Sequence, residues 1–206
     1  MHLSKLNHIS EQGKNLIIVI SDNKWLYLGI SFLYPSENVV HISFGLSPAI
    51  EDDIEYSQVV VVVDSLVLIK SVWSKCNSLM NKYQKVELVW LYNDKTGLIH
   101  PKIERGYRLQ LLHANSSPEH IYITISGCIK KSKQKKRNVL NNHLTNTERR
   151  IIELLTFSFS YSMIAKTLNI SDKTVYAHVR NIIQKTGIKR VMYMRLLLNK
   201  GCITFF

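Results

Sequence analysis

The chain has 206 residues, 27 Lys and Arg against 15 Asp and Glu, and a formal net charge of +12. With 46% hydrophobic residues it can bury real cores and is not disordered throughout, and no apolar stretch approaches the ~20 residues that span a bilayer. Its three widely spaced cysteines, Cys76, Cys128 and Cys202, fit neither a disulfide framework nor a CxxC metal pair.

The opening MHLSKLNHISEQGKN has no apolar run of the secretory kind, so with unpaired thiols a cytoplasmic protein is expected. Leu16–Ile20 and Val59–Val63 are continuous apolar runs that suit parallel strands buried on both faces. Val39–Phe44 and Val86–Leu91 are weaker strand candidates. Between the runs, Trp25–Leu33 and Leu66–Tyr83 have helix length. Pro118–Ile125 is read as a closing helix, although Ile121–Ile125 taken alone reads as strand. Alternation of this kind predicts a doubly wound α/β domain over residues 1–129.

The charge is uneven. Residues 1–129 hold 11 basic and 12 acidic side chains, whereas 130–137 hold six basic and none acidic, and 138–206 hold ten basic and three acidic. Clustered Lys and Arg gain affinity for a polyanion by releasing its counterions. Six like charges in KKSKQKKR repel and offer no apolar face, so residues 130–143 are expected to be a basic linker, able to act as an arm along a phosphate backbone.

From Leu144 onward the spacing predicts four short helices. Thr145 with Glu148 makes a capping box before Ile151, Ile152, Leu154 and Leu155. A second helix runs from about Tyr161 to Leu168, with Asn169 and Ile170 as the turn. Ser171 caps a third helix to about Thr186, where Gly187 suits a left-handed terminus. A fourth covers roughly Arg190–Asn199. On the third helix Val175, Val179, Ile182 and Ile183 form an inner stripe. Lys173, Tyr176, Ala177, Arg180 and Gln184 form an outer one, free of carboxylates, which suits a helix lying in a major groove.

The stretch LTNTERRIIELL, followed by SYSMIAKTLNISDKTVYAHVRNIIQKTGI, resembles the helix-turn-helix domain of LuxR/NarL (FixJ)-type bacterial transcription regulators. Leu144, Thr145, Glu148, Ile164, Ala165, Leu168, Ser171, Thr174, Val175, His178, Asn181, Ile182, Lys185 and Gly187 carry the resemblance. It implies an all-α four-helix domain over 144–206 that binds double-stranded DNA. The implied DNA-binding residues are Lys173, Thr174, Tyr176, Ala177, Arg180, Asn181 and Lys185, with Thr174 and Lys185 mostly on phosphates. His178 would pack inside, hydrogen-bonded and neutral. Val191, Met194, Leu197 and Leu198 would form a dimerisation helix, pairing with a second copy or with another LuxR-type regulator.

Residues 15–129 resemble the receiver domain that often precedes such a domain. Asp64 then stands at the phospho-acceptor position and Asp22 at one member of the acidic pair for a magnesium ion. Ser21 replaces the other member, and neither the hydroxyl expected near Trp90–Tyr92 nor the lysine expected near His113 is evident. The expectation is a degenerate receiver that works without phosphate, the alternative being activation through Asp64. Auxiliary regulators of capsule and fimbria genes share this architecture and pair with a second regulator. No P-loop, GxGxxG, HExxH or GxSxG is present, and the histidines show no metal-ligand spacing, so no enzyme, cofactor, metal site or membrane partner is expected.

Overall fold

Leu16–Ile20 (β1) is apolar at every position because both of its faces are covered. The computed structural model describes residues 15–45, 56–83, 86–100, 108–130 and 144–199. The linker expected over 130–143 therefore lies, apart from Lys130, outside the described residues, as do the first residues and Cys202. β1 pairs in parallel with Asn38–Ile42 (β2) and with Val59–Asp64 (β3). Val86–Tyr92 (β4) and Arg108–His113 (β5) extend the sheet in the order β2-β1-β3-β4-β5, all parallel.

One sheet face carries Ile17, Val19, Val60, Val62, Val89, Leu91 and Leu112, packed by Lys24–Leu33 (α1) and Pro118–Ile129 (α4). Tyr34, at the end of α1, donates from its hydroxyl to the Tyr122 carbonyl at 2.7 Å and lies 2.9 Å from Ser126 Oγ, which ties the two helices together. The strand-like IYITI is helical because Ser117 caps α4, its Oγ accepting from His120 N at 3.3 Å, with Pro118 in the first turn.

The other face meets Leu66–Ile69 (α2) and Trp73–Met80 (α3). The single helix expected over Leu66–Tyr83 is thus two. Ser71 takes φ +58°, and Val72 N donates back to Val67 O at 3.1 Å, a closure that ends α2 before Trp73 begins the next turn against Trp90. Burial pushes the thiols of Cys76 and Cys128 up to about 11 and about 12, so both stay protonated.

The remaining helices are Asn146–Thr156 (α5), Tyr161–Leu168 (α6), Asp172–Thr186 (α7) and Val191–Asn199 (α8). Their core runs on into the α2–α3 side of the sheet. The loop after β4 holds this junction. Leu98 N donates to Thr186 O at 2.8 Å, Lys189 N to Asp94 O at 3.3 Å, and Lys189 Nζ to Asp94 Oδ2 at 2.9 Å. Gly97 (φ +56°) lies so close to the backbone of Thr186–Ile188 that a Cβ there has no room.

Candidate nucleic-acid interface

The starts of α5, α6 and α7 are each fixed by a local side chain. Thr145 Oγ1 accepts from Glu148 N at 3.2 Å while Glu148 Oε2 accepts from Thr145 N at 2.7 Å, so both halves of the capping box are made. Ser160 Oγ accepts from Met163 N at 3.3 Å and starts α6. Asn169 (φ +53°) ends it, with Ile170 N donating to Ala165 O at 3.0 Å. Ser171 then caps α7 through Thr174 N at 3.1 Å. The connection between α6 and α7 is only Asn169–Ser171, the short turn that sets two helices across one another.

Val175, Val179, Ile182 and Thr186 of α7 point into the core. Lys173, Thr174, Tyr176, Ala177, Arg180, Asn181 and Gln184 are all exposed. Tyr176 is 60% exposed, yet its ring meets Tyr161 edge-on at 4.7 Å, which aims it from α6. Thr174 Oγ1 lies 2.8 Å from Ser171 Oγ. Asp172, at the helix start, accepts from Ser162 Oγ at 2.8 Å and joins α7 to α6. The outer surface between Lys173 and Gln184 therefore presents cationic and neutral polar groups around the small Ala177.

Three expectations need correction. Lys185 is not a free cation: its ammonium donates to Glu148 Oε2 at 2.7 Å and Oε1 at 3.0 Å, and it serves inside the domain. His178 is half-buried, and its ring has no hydrogen-bond partner among the described residues. Met194 and Leu197 are 2% and 0% exposed, because α8 needs them to close the core against α5, and Val191 and Leu198 pack partly against the same core. Arg195 locks α8 there, its guanidinium donating to the Leu155 carbonyl at 2.6 and 3.1 Å.

At the C-terminal ends of the strands, Asp64 is nearly buried. Burial raises its carboxyl above the usual range, against the opposing pull of Leu66 N at 3.0 Å and the Ser21 hydroxyl at 2.9 Å. Asp22 Oδ1 accepts from Phe44 N at 2.9 Å. With a hydroxyl at 21 the residues do not form the carboxylate cluster a magnesium ion requires, and no group of three His, Cys, Asp or Glu among the described residues could hold a metal. Sequence reasoning missed a neighbouring pair: Ser65 Oγ and Thr96 Oγ1 are 2.6 Å apart and fully buried. Thr96 lies in the loop after β4, beyond Trp90–Tyr92, and its hydroxyl meets Ser65.

No helix among the described residues is long and apolar enough to cross a membrane. Comparison with curated proteins finds no match. Residues 142–193 match the model of the bacterial regulatory proteins, luxR family. Among solved structures, the chain is similar to the two-component response regulator RcsB in its DNA complex, with TM-score 0.57, 14% identity, and 91% of this chain and 98% of that chain covered. It is also similar to RcsB from Salmonella enterica serovar Typhimurium bound to promoter P1flhDC in the presence of phosphomimetic BeF3-, with TM-score 0.53, 14% identity, and 92% and 99% covered. The C-terminal helix-turn-helix is thus similar to the luxR family of bacterial regulatory proteins over residues 142–193, and it is carried on an α/β domain of receiver-like fold.

Proposed function

We propose that the protein is a sequence-specific DNA-binding transcription regulator that acts as a pair of copies and without phosphorylation. The exposed stripe of Lys173, Tyr176, Ala177, Arg180 and Gln184 carries this reading. A helix lying in a major groove needs donors and small apolar groups at its outer face and no carboxylate among them. Arg180 can donate two bonds to a guanine edge, Ala177 or the Tyr176 ring can meet a thymine methyl, and Lys173 can sit on phosphate. Thr174 and Asn181 flank the stripe and serve the backbone. Lys185 contributes indirectly, by fixing the start of α5 through Glu148. The six positive charges of 130–137 add a sequence-independent attraction. Independence from phosphate is supported by the engaged Asp22, by the serine at 21, and by the Ser21 hydroxyl held on Asp64.

Gel-shift titration of purified protein on specific and random duplexes tests the assignment. Arg180→Ala is expected to lose about 1–3 kcal/mol on the specific site only, and Lys173→Ala to weaken both duplexes equally while lowering the salt slope by about one. Equal loss on both duplexes for both variants contradicts these roles.

A further inference from the structure

Among the described residues, Tyr176 is the one large hydrophobic side chain of α7 that is left exposed, at 60%. It stands in the outer stripe beside Ala177, with Lys173 and Arg180 one turn to either side. Its ring meets that of Tyr161 at 4.7 Å and 89°. Tyr161 is half-buried in the first turn of α6 and packs against the domain core. The bond from Ser162 to Asp172 fixes the start of α6 on the start of α7 beside this pair. Neither tyrosine hydroxyl has a hydrogen-bond partner among the described residues, so ring packing sets the angle. An exposed tyrosine held by nothing samples several rotamers, and ordering it on binding costs affinity. Tyr161 removes that cost in advance. Tyr176 itself adds little to the core, so its fixed ring is free to serve the surface that α7 presents.

We infer that Tyr176 reads the 5-methyl group of a pyrimidine in the major groove, and that Tyr161 is the positioning residue that holds its ring for this task. The inference rests on the DNA-binding reading above and adds to it the group recognised and a determinant outside α7. Thymine alone among the four bases presents a methyl group in that groove. A polar side chain gains nothing from the methyl, whereas a ring fixed at the right place takes it out of water. Burying one such carbon is worth about fourfold in affinity. The short side chain of Ala177 leaves the ring room to approach the base edges. The spacing along α7 narrows the position of the base. Arg180 follows Tyr176 by four residues, about 6 Å of helix rise, and base pairs stack about 3.4 Å apart. The methyl therefore belongs to a base within about two steps of the guanine that Arg180 engages.

The test is a base-analogue scan by gel shift, with the full-length protein and the duplex it selects from a randomised pool. Each thymine in turn is replaced by deoxyuridine, which removes the methyl and keeps the pairing. For the wild type, uracil near the guanine that Arg180→Ala no longer discriminates is expected to raise the dissociation constant about fourfold to tenfold. With a C·G pair at that position, 5-methylcytosine should bind more tightly than cytosine. Tyr176→Ala is expected to bind the thymine and uracil duplexes equally. Tyr161→Leu, which keeps an apolar side chain on the core, should lose most of the thymine preference with affinity for random duplex unchanged. Tyr161→Phe, which keeps the ring, should retain the preference. A selected sequence on which every uracil is neutral overturns the proposal, as does a preference that survives Tyr176→Ala or Tyr161→Leu. Should Tyr161→Leu not fold, the χ1 couplings of Tyr176 in the DNA-free wild type decide by nuclear magnetic resonance: a single rotamer supports the positioning role, and rotamer averaging overturns it. A pool that yields no preferred sequence fails the DNA-binding reading and the inference with it. A preferred sequence that depends on Arg180 but ignores every thymine methyl fails this inference alone.

Discussion

Glu148 meets two demands with one carboxylate. It accepts from the start of its own helix and from the ammonium of Lys185, 37 residues away. Burial works against its charge, but Lys185 and the Thr145 N–H outweigh it and hold the carboxyl below its ordinary value. A carboxyl depressed in the folded state adds stability above its unfolded pKa, and that stability is lost as pH falls through the folded value. Glu148→Gln should therefore flatten the decline of the melting temperature below about pH 4.5. Lys185→Ala, which leaves a buried carboxylate unpaired, should cost about 2–3 kcal/mol in denaturant unfolding. Weakened DNA binding by Lys185→Ala should follow that loss and not a lost phosphate contact. Asp64 has the opposite sign: its raised carboxyl favours folding as pH falls. Asp64→Asn should keep the Leu66 bond, leave the melting temperature equal or higher at neutral pH, and leave DNA affinity unchanged; a fall in affinity contradicts phosphate independence. The capping box is legible in sequence because it spans three residues. The Lys185 pair is not, since only the fold brings α7 to the start of α5.

Among the elements, the first three C-terminal helices are legible almost to the residue, because Thr145, Ser171, Asn169 and Gly187 mark their ends by local chemistry. The run Leu66–Tyr83 is less legible. Nothing in Lys70-Ser71-Val72 announces a left-handed residue, and the break serves the packing of Trp73 on Trp90. The outer face of α1, where Trp25, Leu28 and Phe32 are exposed, gives no signal either, since an apolar stripe reads as core whichever side it faces. The loop after β4 yields a prediction of its own. A methyl at Gly97 meets the backbone at Thr186 and Ile188, which has no flexible end to move, and the residue holds φ +56°. Gly97→Ala should therefore separate the loop from the turn after α7. Expected are faster amide exchange over residues 94–98 and 186–189, about 1–3 kcal/mol less stability, and intact far-ultraviolet circular dichroism. Unaltered exchange at both segments contradicts a load carried by this contact.

In the whole molecule, the sheet separates two kinds of surface. One side meets α1 and α4 and presents neutral apolar groups; the other joins the basic helix-turn-helix. This division explains why net charge located the C-terminal task so readily and said nothing about the other face. The parallel sheet itself was legible from Leu16–Ile20 and Val59–Val63, but its order was not, because strand neighbours are set by crossovers and not by local pattern. That order has a temporal consequence. β1 lies inside the sheet, between β2 and β3, and Leu16 finds its partner at Val59. On a ribosome the first strand must wait, its apolar side chains unsheltered, until the third has been made. The four C-terminal helices, whose partners are near in sequence, close soon after synthesis. The helix-turn-helix is made after the sheet and is the quicker to form; the sheet is begun earlier and completed late.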